Sequence, residues 1–191
     1  MAKLLTIARF CVLSLVNVIL TYLFFFPLTF AVVPFARADG TLPRWLLYFA
    51  TQDASLDAGW RDGYFLNDLG VPYDVNDPPT GFELYRLRCY WLFRNTAYGL
   101  DYYLFGIQYD PTQWNVTDLA LVNGTIQTMT AWTKDNRYFC YTASNGFKFG
   151  WKLWWALDTT TGHLIPLDQY NQHNPLPPYP QEKRLMFVFT P

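Results

Sequence analysis

The chain has 191 residues and a mass of 22.4 kDa, room for one domain with an appendage and short for two full domains. With 51% apolar, 20% aromatic and 15% charged residues and a formal charge of −1, it is neither an intrinsically disordered chain nor one with a globally basic grip on nucleic acid. Three cysteines are too few for a disulfide scaffold, and two histidines with two glutamates leave little stock for metal or acid/base chemistry.

Between Arg9 and Arg37 lie 27 uncharged residues, Phe10 to Ala36, more than the roughly 20 needed to cross a bilayer as a helix. Asn17 is the only strongly polar side chain inside this run, because Ser14, Thr21 and Thr29 can bond back to the helix backbone. Pro27 lacks an amide hydrogen and disfavours helix at Phe26. The expectation is one helix over about Leu4 to Phe26 and a kinked, shorter apolar piece through Phe35. Ala36-Arg37-Ala38 has the small-x-small form of a signal-peptide cleavage site, but a signal core runs only about 7 to 15 residues, so a retained anchor is expected. Hydropathy does not distinguish lipid from a sleeve of protein around residues 10–36, whether copies of the same chain or other neighbours. Lys3 and Arg9 balance Arg37 and Arg44 across the segment. The preferred orientation keeps the N-terminus inside and places the body in the periplasm at a bacterial inner membrane. There Cys89 and Cys140 would either pair or stay as buried thiols.

Residues 37–191 form the expected second part, an aromatic-rich body carrying 12 basic and 15 acidic groups and all eight tryptophans. A body of this size buries enough ring surface to need no metal or disulfide staple. "LPRWLLYFA" at 42–50 reads as a short apolar helix after Pro43, either core or interfacial, with Trp45 and Tyr48 at headgroup depth and Arg44 on the polar side. A stretch rich in Asp, Asn, Gly and Pro follows, ending in the T-x-x-E capping box Thr80 to Glu83. A helix to about Arg94 then carries Leu84, Leu87 and Trp91 on one stripe. "LDYYLFGIQY" is ambiguous between helix and strand.

The C-terminal half changes to a two-residue period. Thr125 to Thr133, Arg137 to Thr142 and the segment after Asn145-Gly146 read as a β-meander. In "FKFGWKLWW" the alternation puts Phe147, Phe149, Trp151, Leu153 and Trp155 on a core face and Lys148, Gly150 and Lys152 on a wet one. A turn at Thr159 to Gly162 leads to a short strand near His163 to Leu167. "DQYNQHNPLPPYPQEK" reads as an extended proline-rich loop, and Leu185 to Phe189 as a final buried strand. The fold class expected is α+β: an N-terminal transmembrane-type helix over 1–36, broken near Pro27, then a domain over 37–191 with a few helices and an antiparallel meander.

Catalytic patterns are weak. His163 follows a turn glycine and His173 sits in the proline-rich stretch, neither within a nucleophile pattern. The cysteines and histidines lack zinc spacing, and no phosphate-binding glycine loop occurs. Asp53, Ser55 and Asp57 alternate like oxygen ligands and Asp62, Asp68, Asp74 and Asp77 follow. An EF-hand reading fails, because its sixth and twelfth positions hold Ala58 and Tyr64. Turn aspartates are the simpler reading. Asn115-Val116-Thr117 and Asn123-Gly124-Thr125 fit glycosylation sequons and otherwise read as turn-like polar triplets. No cofactor or metal is expected.

The strings "LPRWLLYFATQDASLDAGWRDGYF", "YWLFRNTAYGLDYYLFG" and "FGWKLWW" behind an apolar N-terminus resemble uncharacterised small proteins of tailed phages and prophages. The resemblance is carried by Pro43, Arg44, Trp45, Asp57, Gly59, Trp60, Arg94, Asn95, Tyr98, Gly99, Gly150, Trp151 and Lys152, and it implies no activity. The leading expectation is a non-enzymatic, membrane-anchored phage or prophage protein that binds a protein partner at the bacterial envelope, with no nucleic acid involved and a homo-oligomer left open. The candidate interaction residues are Arg44, Trp45, Tyr48, Trp60, Lys148 and Lys152. Two alternatives are a virion component of tail or portal acting in genome delivery, and an envelope hydrolase using the loop aspartates Asp57 and Asp62.

Overall fold

The apolar N-terminal segment is one continuous helix from Ala2 to Phe35 in the computed structural model, which describes residues 1–51, 53, 55–62, 77–96, 98–173 and 184–190. Pro27 has no amide hydrogen to give to the preceding turn. The helix answers with a π-helical turn at Thr21–Phe25, where the Phe26 amide reaches back to the Thr21 carbonyl, and then resumes α geometry over Phe26–Val32. The expected break at Pro27 is thus absorbed without interrupting the helix. The Ser14 and Thr29 hydroxyls donate to the carbonyls of Phe10 and Phe25, as in-helix hydroxyls do when no water is at hand.

The fold is mixed α+β: this long apolar helix, a few further helices, and a five-stranded antiparallel sheet. The described residues divide into two compact units, one built from Met1–Asn17 with residues 105–173 and 184–190, the other from Val18–Leu104.

In the first unit the sheet runs in the order β2 (Trp114–Val122), β3 (Thr125–Thr133), β4 (Phe139–Thr142), β5 (Lys148–Trp151) and β9 (Phe187–Thr190). Strand β2 extends through the Asn115–Thr117 triplet that reads as turn-like. The real turn is Asn123-Gly124, whose φ values of 50° and 72° are those of a tight hairpin with Val122 paired to Thr125. Gly150 sits at φ 113°, and a Cβ there would lie 2.3 Å from the Phe139 carbonyl oxygen, so glycine is what lets β5 pair closely with β4. Short pairs β1 (Ile107–Gln108) with β8 (Arg184–Leu185) and β6 (Leu157–Asp158) with β7 (His163–Leu164) complete the unit, with a helix at Leu167–His173 where an extended loop is expected. The proline-rich residues 174–183, like Asp68 and Asp74, lie outside the described residues.

The core of this unit is a cluster of rings closed by a residue of the N-terminal helix. Phe10 is fully buried, its ring 4.3 Å from Phe187, 4.7 Å from Phe149, 5.1 Å from Phe139 and 5.2 Å from Trp151 between centroids. Around it the Thr6 hydroxyl donates to the Asn136 carbonyl at 2.6 Å, Arg9 donates to the Arg137 carbonyl and lies over the Tyr138 ring, and Lys3 lies over Trp132. Residue 10 therefore does not begin a lipid-facing run, as hydropathy suggests; it is a core residue of the sheet. Lys3, Thr6, Phe10, Ser14 and Asn17 recur at three- and four-residue spacing, which places them on one helical face.

In the second unit Val32 and Val33 at the end of the long helix pack with Leu42, Leu46, Leu56, Cys89 and Leu92. The helix Gly81–Arg94 begins where the capping-box string predicts, with Thr80 as an extended N-cap whose hydroxyl makes no capping bond. It buries Leu87 and Trp91 from the expected stripe. The Phe93 ring packs tilted against Phe26 and edge to face against Phe30, and the Tyr85 hydroxyl donates to the Phe30 carbonyl.

Phe10→Ala should lower the unfolding free energy by about 3–5 kcal/mol, the range for deleting a buried ring. Val12→Ala on the exposed face should change it by under about 0.5 kcal/mol. Denaturant titration in mild detergent, followed by tryptophan fluorescence, measures both; equal midpoints would show that Phe10 is not part of the core.

Candidate functional site

The segment Arg44–Phe49 forms a 3-10 helix rather than an α-helix, starting after Pro43 and kinked at Leu46. Three residues per turn put positions i and i+3 on one edge. Leu46 and Phe49 accordingly face inward, Leu46 into the aliphatic core and Phe49 stacked on Phe25 at 4.3 Å, while Trp45 and Tyr48 face out at 65% and 41% exposure. Trp45 meets the exposed Phe35 edge to face at 5.2 Å, and Arg44 is exposed beside it. The helix Tyr98–Tyr103 crosses directly behind, because a Cβ on Gly99 would lie 2.3 Å from the Leu47 carbonyl oxygen. Glycine there is a condition for this segment to seat.

The remaining candidates are engaged elsewhere. Trp60 is half-buried and donates its indole hydrogen to Asp57 Oδ1 at 3.1 Å. Lys148 and Lys152 belong to the sheet unit, over the rings of Trp154 and Trp155 at 5.4 and 4.1 Å. Lys152 does not lie on a wet face: it is 9% exposed, because β5 ends at Trp151 and Lys152 opens the 3-10 turn Leu153–Ala156, which breaks the alternation. So Arg44, Trp45 and Tyr48 form one patch, and Trp60, Lys148 and Lys152 do not join it.

Asp57 is held by a partner that the sequence pattern conceals. Arg88 donates Nε to Oδ1 at 2.6 Å and Nη2 to Oδ2 at 2.7 Å, with both side chains about nine-tenths buried. Nη2 also reaches the Ala38 carbonyl at 3.4 Å. Ser55 Oγ accepts from the Asp57 amide and donates to the Asp39 carbonyl. Gly40, at φ 77°, lets this turn close over the carboxylate, where a Cβ would lie 2.6 Å from Asp57 Oδ2. With both oxygens occupied, Asp57 is a poor general base and a poor calcium ligand. Asp62 is an exposed partner of Arg61. The Arg88 signal was present in the sequence, since Leu84, Arg88 and Trp91 fall at i, i+4 and i+7 and a charge on an apolar stripe demands a buried partner.

Other aspartates serve turns. The Thr41 amide holds the Asp39 carboxyl below its ordinary value, and the hydroxyls of Thr112, Thr133 and Thr161 do the same for Asp110, Asp135 and Asp158. A lowered folded value contributes stability above about pH 3.8 that is lost as the pH falls through it. All three cysteines are free thiols, Cys11 exposed and Cys89 and Cys140 buried in separate cores. Burial pushes Cys140 up to about 12 and also raises Cys89. Among the described residues no group of three metal-binding side chains occurs. Two clefts of about 590 and 580 Å³ flank His163 and Leu164 in the sheet unit, and in the first the Thr161 hydroxyl donates to the Asp158 carboxylate at 2.8 Å, a bond that closes the turn leading to His163.

The most extensive feature is an uncharged, exposed stripe on the long helix. Leu4 and Leu5 are each 72% exposed, and Val12, Leu15, Val18, Ile19, Tyr22 and Leu23 continue along the side opposite the polar residues. The chain belongs to a family of unknown function (DUF7338), which it matches over residues 1–189, the apolar helix included. No curated protein and no solved structure matches it.

Arg88→Ala should cost about 3–5 kcal/mol by leaving the Asp57 carboxylate buried and uncompensated, whereas Asp57→Leu with Arg88→Met should recover much of that loss. Thermal unfolding of the three proteins checks this, and a fully stable Arg88→Ala chain would contradict the buried pair. A maleimide should label Cys11 in mild detergent and spare Cys89 and Cys140 until denaturant is added, as counted by intact mass.

Proposed function

We propose that this chain is a non-enzymatic, membrane-bound protein that presents its aromatic α+β body to a protein partner at the bacterial envelope. The observation that carries the reading is the exposed stripe on the Ala2–Phe35 helix, large, uncharged and continuous, which is costly to leave in water. Retention of the segment is supported by Phe10, Val32 and Val33: cleavage after Ala38 would remove all three from the cores they fill. The patch of Trp45, Tyr48 and Arg44 has the composition of a headgroup anchor, apolar rings with polar edges beside a cation. The bacterial envelope as the setting, and a phage or prophage origin, rest on the resemblance of the Trp- and Arg-rich strings alone. The occupied carboxylate of Asp57 weakens the hydrolase alternative.

Expressed in bacteria, the full chain should sediment with membranes, resist a high-salt wash and be released by detergent. Val12→Glu with Leu15→Glu, both on the exposed stripe, should move most of it to the soluble fraction without unfolding it. If the unaltered chain is soluble, or assembles through the stripe into particles without lipid, the membrane reading fails and the virion alternative gains.

A further inference from the structure

We propose that Arg37 and Arg44, beside the exposed rings of Trp45 and Tyr48, form a site for the headgroups of anionic phospholipids. This rests on the reading that the chain is membrane-bound, and it adds which lipid the helical unit selects and through which residues.

Every residue of the site belongs to the unit Val18–Leu104. Its apolar part begins on the helix, where Leu28 and Phe35 are exposed and, seven residues apart, lie on one face. Trp45 meets Phe35 edge to face at 5.2 Å and is itself exposed, so this face continues onto the 3-10 edge, where Tyr48 follows at i+3. Tryptophan and tyrosine concentrate where hydrocarbon gives way to headgroups, because the body of the ring is apolar while its N–H or O–H needs a polar partner.

The cations flank that edge. Arg37 comes two residues after Phe35 and Arg44 immediately before Trp45, and both are exposed. The Arg37 amide donates to the Thr41 carbonyl at 2.8 Å and the Gly40 amide to the Arg37 carbonyl at 3.0 Å, so the chain turns back between the two arginines and keeps Arg37 near the start of the 3-10 helix. Among the described residues no carboxylate forms an ion pair with either guanidinium. The nearest acid in sequence, Asp39, feels the charge of Arg37 and accepts from the Thr41 amide and hydroxyl at 3.0 and 2.7 Å. Residues 35–48 therefore carry two cations against one carboxylate.

Charge complementarity selects the lipid. The whole chain has a formal charge of −1, so attraction to an anionic surface has no global source and requires a local one. A guanidinium presents a planar fork that matches two phosphate oxygens at once. In phosphatidylcholine the phosphate is followed by a quaternary ammonium that repels a further cation; phosphatidylglycerol has none. Beside an anionic leaflet each such arginine strengthens binding about fivefold.

The test is a competition between two membranes. The full chain is dispensed from mild detergent into a mixture of phosphatidylcholine vesicles and denser, sucrose-loaded phosphatidylcholine–phosphatidylglycerol vesicles, which are then separated by sedimentation. The unaltered chain should collect on the anionic vesicles. Arg44→Gln should lower the ratio between the two populations about fivefold, and Arg37→Gln with Arg44→Gln about twentyfold. Arg86→Gln, which removes one exposed charge from the Gly81–Arg94 helix of the same unit, should leave the ratio unchanged. Protection of the buried Cys89 from maleimide shows that the unit is folded in each variant. An even distribution of the unaltered chain, a ratio that survives loss of both arginines, or an equal fall with Arg86→Gln overturns this inference and leaves membrane binding intact. Failure to bind either vesicle population overturns the membrane reading beneath it.

Discussion

Phe10 sits in a socket of four rings from three strands of the sheet, and the fate of the most apolar part of the chain follows from that contact. A buried phenylalanine contributes about 1.5–3 kcal/mol by removal from water, before the edge-to-face contacts with Phe139, Phe149 and Trp151 are counted. Because Phe10 precedes the sheet by well over a hundred residues in sequence, its insertion closes a long loop, and the surrounding bonds from Thr6 and Arg9 to the 136–137 turn fix the helix's rotation as well as its position. Once that rotation is set, the polar residues face protein and the aliphatic ones face outward.

Several of the described polar groups serve the architecture. Asp57 and Arg88 neutralise each other inside the helical unit and gather the 38–41 turn, Ser55 and Trp60 around them. Asp39, Asp110, Asp135 and Asp158 close tight turns by accepting from nearby threonines. Lys148 and Lys152 lie over tryptophan rings. The described surface also presents two apolar features: the stripe on the long helix, and the Trp45–Tyr48 edge that the 3-10 periodicity turns outward. The match to the DUF7338 family spans residues 1–189, the apolar helix included.

Much of this was legible beforehand. The length of the apolar run, the start and end of the Gly81–Arg94 helix and the β-meander all follow from local signals: uncharged residues in series, a T-x-x-E string, alternation and an Asn-Gly turn. Two signals were present and easily passed over. Asn123-Gly124 between alternating residues marks a hairpin more strongly than a polar triplet, and Arg88 on an apolar stripe announces a buried acid.

The sequence by itself determined the α+β class, the order of most elements and the existence of a long helix with no charge between Arg9 and Arg37, because these depend on residue periodicity over a few turns or strands. Only the tertiary structure decided which face of that helix is covered. Hydropathy sums over all faces alike, so it could not tell Phe10, inside the sheet, from Leu4, Val12 and Leu15, outside it. Nor could alternation foresee that β5 stops at Trp151 and turns Lys152 inward, or that Arg88 would find Asp57 across 31 positions of chain. Those outcomes depend on which distant surfaces meet, and such meetings leave no period in the sequence to read.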